Sequence, residues 1–173
     1  FEKGADHFEN EQYVVTSAVG HLVEIKAPDE YDVKRGKWSF AHLPVVPPHF
    51  DLAPIDKGKS RLAAVVRQIK RKDVDRIVNA CDAGREGELI FRYLYQATAC
   101  RKPFSRLWIS SLTPDAIRRG FAQLRDGRDF DPLAAAAQGR GQADWLVGMN
   151  LSRAYTLACG APGDEPWSVG RVQ

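Results

Sequence analysis

The segment Asp82-Ala83-Gly84-Arg85-Glu86-Gly87-Glu88 sets carboxylates at both ends of a turn punctuated by two glycines and places an arginine inside it. Carboxylates gathered in this way suit a hard divalent cation such as Mg²⁺, which takes oxygen ligands and commonly handles phosphates. The planar fork of Arg85 suits a phosphate directly. The plainer alternative is a solvated turn whose acids favour the start of a helix. Asp82 follows an apolar run expected to be buried, and Gly84 and Gly87 allow close backbone approach, so the metal reading is preferred. Asp82 and Glu86 are the candidate ligands. Glu88 lies two positions beyond Glu86 and points to another side of a helix, which leaves it a supporting place behind the site or a role bracing the helix. The segment has neither a P-loop nor a dinucleotide-binding glycine pattern.

Two further groups have plausible chemistry. His21, after a strand-like run and Gly20, is by default a packed or capping histidine, yet its position allows a site at the same sheet edge. Arg140 and Asp144 stand four residues apart on a helix, where a surface ion pair worth about 0.3 kcal/mol is the plain account and a phosphate held by Arg140 the alternative. On the residues alone the ion pair is favoured. His7, His42 and His49 read as structural or surface residues.

The turn needs a strand before it and a helix after it. Residues 76–81 supply the apolar run, and a helix should extend to about Thr98. Upstream, Ser60 is a candidate cap for a helix over 61–69 with a basic outer face, and residues 13–25 predict a bent strand or hairpin. Residues 27–54, rich in proline and aromatics, predict an irregular but packed excursion. Downstream, a strand is expected over 106–110 and a helix from the Thr113-Pro114-Asp115 start to about Leu124, ended by Gly127. A long helical segment follows from about Pro132 to Cys159. The pattern predicts an α/β fold, an open sheet with flanking helices, over residues 1–112, and a mainly helical second segment over 113–173. In open α/β sheets ligands lie outside the carboxyl ends of the strands, where the acidic turn falls.

The 173 residues are 44% hydrophobic and 27% charged, a soluble globular composition, and no apolar run approaches the roughly 20 residues of a membrane span. With no signal or transit pattern, the expected location is cytoplasmic. Lys and Arg exceed Asp and Glu by only 25 to 22, too narrow a margin to mark a nucleic-acid binder by charge alone. Cys81, Cys100 and Cys159 form no Cys-x-x-Cys pair and read as buried reduced thiols.

Four blocks together resemble the type IA DNA topoisomerases, most closely the bacterial and plasmid topoisomerase III branch: Tyr13-Val14-Val15-Thr16 with Gly20-His21-Leu22; Asn79 through Ile90; Ala143 through Ala154; and Ser168 through Gln173. The resemblance implies a Toprim α/β domain followed by the start of a helical domain that helps cradle single-stranded DNA. It implies Mg²⁺ on Asp82 and Glu86, Arg85 and His21 as active-site residues, and Arg140, Asp144 and Arg171 beside the DNA. The implied activity is DNA relaxation or decatenation by transient single-strand cleavage through a 5′-phosphotyrosine link. Where that family often carries an Asp, this chain has Gly84. The family's first strand, with its catalytic glutamate, and its catalytic tyrosine motif have no counterpart here, so the chain is expected to be a fragment that does not cleave by itself. Two alternatives are another Toprim phosphoryl-transfer enzyme, such as a primase or nuclease, and a non-catalytic single-stranded DNA-binding module. The sequence names no helicase or other protein partner.

Overall fold

The computed structural model describes residues 1–31, 38–161 and 165–170. Its chain order is β1 (Glu2–Lys3), β2 (Phe8–Glu9), β3 (Val14–Val15), β4 (Val23–Ile25), β5 (Leu52–Pro54), α1 (Lys59–Ile69), β6 (Ile77–Asn79), α2 (Arg85–Ala97), β7 (Phe104–Arg106), α3 (Pro114–Ala122), β8 (Arg125–Asp126) and α4 (Asp131–Cys159), with short 3-10 turns between. The chain divides into two compact units, one of Phe1–Glu24 with Ala53–Ala137 and one of Ile25–Leu52 with Gln138–Gln173.

In the first unit β6 and β7 run parallel, with Ile77 opposite Phe104 and Asn79 opposite Arg106, and β8 adds antiparallel to β7. The parallel pair requires a crossover, which α2 provides. Leu89, Phe91 and Leu94 of α2 are buried, as are Ala64 and Val65 of α1, Leu107, and Phe130. Both carboxyl ends of the parallel strands therefore open on one edge. Among the described residues β6 pairs only with β7. Its other edge borders a cavity of about 390 Å³ walled by apolar side chains including Val65, Ile69, Val78, Ile90 and Leu94.

Several expected boundaries move. The strand expected at 106–110 lies at Phe104–Arg106. Pairing ends after the Leu107 N–H donates to the Asn79 carbonyl, because the Leu107 carbonyl is taken by the Arg106 guanidinium instead of a neighbouring strand. Residues 13–25 do not form one hairpin: β3 pairs with β2 in a three-stranded antiparallel sheet, and β4 pairs with β5. Between them Val19 and Gly20 both take positive φ, 57° and 97°, which turns the chain out of its strand direction. Helix α1 begins at Lys59, where the 3-10 turn Asp56–Gly58 leads straight into it and makes Gly58, not Ser60, the cap. Helix α3 starts as read, with Thr113 Oγ1 accepting from the Ala116 N–H, but stops at Ala122. Gly127 opens a 3-10 turn rather than ending that helix, and a Cβ there would lie 2.0 Å from the Phe104 ring.

The second unit gives the proline-rich excursion its order. Trp145 packs edge-on against Tyr31 and Phe50 and donates its indole N–H to the Lys26 carbonyl at 3.0 Å. Asn150 acts as a substitute strand partner for Val45, accepting from its N–H and donating to its carbonyl. Buried Arg153 pairs with Asp29 and lies over the Trp38 ring.

Candidate metal and phosphate site

The acidic turn leaves the carboxyl end of β6 and enters α2 within five residues. A Cβ at Gly87 would stand 2.2 Å from the Asp82 carbonyl oxygen and 2.8 Å from its nitrogen, so only glycine lets the first turn of α2 press onto the backbone of Asp82. Gly84 differs. Its φ of 171° is ordinary extended backbone, and an added Cβ would meet nothing within 4 Å. Gly87 is required by packing, while Gly84 leaves an open place.

Asp82, Arg85 and Glu86 are exposed around this turn. His21, brought to the same edge by the bend at Val19 and Gly20, sets its Nε2 3.7 Å from Glu86 Oε2. The structure thus gathers four of the sequence candidates in one unit. Glu88 points inward and is fully buried. One carboxylate oxygen accepts from Arg92 Nε at 2.8 Å, and the other accepts from Asn79 Nδ2 at 3.0 Å and lies 3.1 Å from Arg106 Nε in an ion pair without hydrogen-bond alignment.

Arg106, also fully buried, holds the turn from beneath. Its Nη1 donates to the carbonyls of Asn79, Cys81 and Leu107 at 3.0, 2.6 and 2.9 Å, and its Nη2 donates to the Asp82 carbonyl at 2.6 Å. Burial pushes this guanidinium down from its ordinary value, and the Glu88 carboxylate opposes that shift. The two groups offset each other's desolvation, which neither could do alone in the interior. Asn79 Oδ1 accepts from the Cys81 N–H and tightens the same bend. The cysteines are free but not fully buried as expected, Cys81 and Cys100 being half-buried and Cys159 exposed; what burial Cys81 has raises its thiol, keeping it neutral. Arg92 reaches outward from Glu88 to Asp131 and the Gly127 carbonyl, tying α2 to the start of α4.

Sequence reasoning missed Arg106, Arg92 and the side-chain role of Asn79. The available signal was a charged residue at the head of the otherwise apolar Arg106-Leu107-Trp108-Ile109, which calls for a buried counter-charge.

Among the described residues, no group of three or more His, Cys, Asp or Glu side chains is arranged to hold a metal ion. Glu88 is engaged by arginines, and Gly84 contributes no ligand. Two exposed carboxylates remain, a donor set that fits Mg²⁺ completed by water and phosphate oxygens, not a cation caged by protein.

In the second unit Arg140 Nε and Asp144 Oδ2 lie 4.0 Å apart on α4 with about two fifths of each side chain exposed, the geometry of a weak, screened pair. Arg171 lies outside the described residues. No helix among the described residues is long and apolar enough to cross a membrane.

A family model described as Toprim domain matches residues 2–112. DNA topoisomerase 3 of Bacillus cereus is 44% identical over 172 residues, which is 99% of this chain and 23% of that protein. DNA topoisomerase 3 of Bacillus subtilis has the same identity and coverage. The chain thus spans less than a quarter of the length of these curated relatives. Among solved structures, full-length topoisomerase I from Thermotoga maritima shares the fold, with a TM-score of 0.58 at 20% identity over 84% of this chain and 22% of that one.

Proposed function

The chain belongs to the Toprim domain family, and from that premise we propose that it is the metal-bearing part of a type IA DNA topoisomerase of the topoisomerase III branch. The whole protein relaxes or decatenates DNA in the cytoplasm by cleaving one strand, holding it through a 5′-phosphotyrosine link, passing a strand and resealing. Residues 1–112 form the Toprim domain, and residues 113–173 belong to the helical domain that carries Arg140, Asp144 and Arg171 to single-stranded DNA. The observation that carries this reading is the exposed Asp82 and Glu86 pair on a turn whose backbone is fixed by a buried arginine and glutamate.

Mg²⁺ bound there would neutralise phosphate charge that two bare carboxylates would repel. Asp82 and Glu86 would hold the ion. Arg85 would grip a non-bridging phosphate oxygen and keep the strand in register. His21, beside Glu86, would orient that carboxylate or donate to the phosphate. Arg106 and Glu88 touch no substrate; they keep Asp82 in place while the strand is cut and resealed. The free edge of β6 and its apolar cavity would receive the family's first strand, bringing the catalytic glutamate to this sheet edge. The tyrosine comes from elsewhere in the whole protein, so this chain alone leaves supercoiled DNA unrelaxed.

The test is relaxation of negatively supercoiled DNA by the full-length protein with Mg²⁺. Glu86→Gln should lower the rate by roughly 10²- to 10³-fold, the range expected when a group acting on transition-state charge is removed. Undiminished relaxation by that variant would take Glu86 out of the mechanism.

A further inference from the structure

Resting on the reading of this edge as a DNA site, we infer that Trp108 is a stacking platform for one nucleobase of the single strand beside the acidic turn. Trp108 follows the last residue of the β6–β7 ladder by two positions, so it leaves β7 at the same carboxyl edge as Asp82. The connection is direct: the guanidinium that donates to the Asp82 carbonyl also lies 5.0 Å from the Trp108 ring.

The indole is backed but remains accessible. Phe130 stacks on Trp108 at 5.0 Å, and Arg106 lies 5.9 Å from Phe130. Were Phe130 and Arg106 on opposite faces of the indole, each at 5.0 Å, they would be about 10 Å apart. Their actual separation of 5.9 Å shows that the two do not sandwich the ring. Trp108 keeps 40% of its surface exposed, unusual for a ring so firmly backed.

The backing is rigid. Phe130 is buried on a 3-10 turn capped by Asp126, whose carboxylate accepts from the Arg128 N–H, and Arg125 covers the Phe130 ring at 4.4 Å. A ring already held in place loses little freedom when a base stacks on it. An aromatic face accepts any base, so this contact would position a strand without reading its sequence, while Arg85 and the metal hold the neighbouring phosphate.

The test measures binding of the full-length protein to a short single-stranded oligonucleotide at fixed salt, with one abasic position walked along the strand. In the wild type one abasic position should weaken binding by roughly 5- to 150-fold, the loss expected for one stacked base. Trp108→Leu, which keeps apolar bulk but removes the π face, should weaken the intact oligonucleotide by a similar factor and erase the sensitivity to that position. Trp108→Phe should retain both affinity and sensitivity. Thermal unfolding of each variant checks the fold, and the abasic walk on wild type stands without any variant. The inference is overturned if no abasic position matters in the wild type, if Trp108→Leu binds the intact strand unchanged, or if its sensitivity to the same position persists. A wild-type protein that binds no single strand at all would sink the topoisomerase reading along with it.

Discussion

Gly84 and Gly87 stand three residues apart in one turn and obey different constraints. Gly87 is held to glycine by the Asp82 backbone, whereas Gly84 occupies extended backbone with open space around it. A carboxylate placed at 84 should therefore be accommodated without strain and add a third oxygen donor beside Asp82 and Glu86. Gly84→Asp is expected to lower the Mg²⁺ concentration for half-maximal relaxation by roughly 3- to 10-fold, because affinity follows the number of charged ligands. An unchanged Mg²⁺ titration would mean that position 84 does not face the ion. Residue types announced Asp82, Arg85 and Glu86, since acids and an arginine around glycines advertise their chemistry locally. They did not announce Arg106, whose hydrogen bonds reach carbonyls 24 to 27 positions away and exist only once β6 and β7 are paired.

At the scale of elements, the Arg106 and Glu88 pair is what joins β6, β7 and α2 beneath the site. Arg106→Ala should destabilise the fold by about 3 to 5 kcal/mol in urea unfolding, because it leaves the Glu88 charge buried against fewer partners. A loss under about 1 kcal/mol would show that the pair is not integral to the core. Gly127→Ala should cost about 1 to 3 kcal/mol, since its methyl would collide with the Phe104 ring and part β7 from the following turn. A third element-level effect depends on pH. Asp6, which joins the N-terminal sheet to α1, is held down from 3.8 to about 2 by its hydrogen bonds with His7 and then Arg67. Its folded value is the lower one, so its stabilising contribution is complete above the unfolded value near 3.8 and disappears as pH falls toward 2. Asp6→Asn should therefore flatten the fall in Tm between pH 4 and pH 2, as followed by thermal unfolding. The helices were largely legible, because α1, α2 and α3 carry apolar periodicity and, for α3, an explicit cap, while α4 showed itself by the alanine run at 134–137. The strands were less so: each is two or three residues long, and their ends are set by carbonyl partners on other segments, as at Leu107.

At the scale of the whole molecule, the β6–β7–β8 sheet ends at β8 on one side and, among the described residues, at β6 on the other. The ladder to β7 uses the Ile77 N–H and the Asn79 carbonyl, so the alternation of a strand turns the Val78 N–H and carbonyl toward the open side. In the proposed reading a further strand seats on this side, and supplying it is expected to raise Tm by several degrees for each kcal/mol gained, read by thermal unfolding with and without that strand. No change in Tm would show that the edge is not a strand seat. The same unpaired amide and carbonyl have a consequence for handling the 173-residue chain by itself: they form a template for another copy, apolar on its flank and with no lysine on the strand to deter pairing. Its hydrodynamic size should grow with concentration, and the onset of turbidity on storage should move earlier as the stock is made stronger.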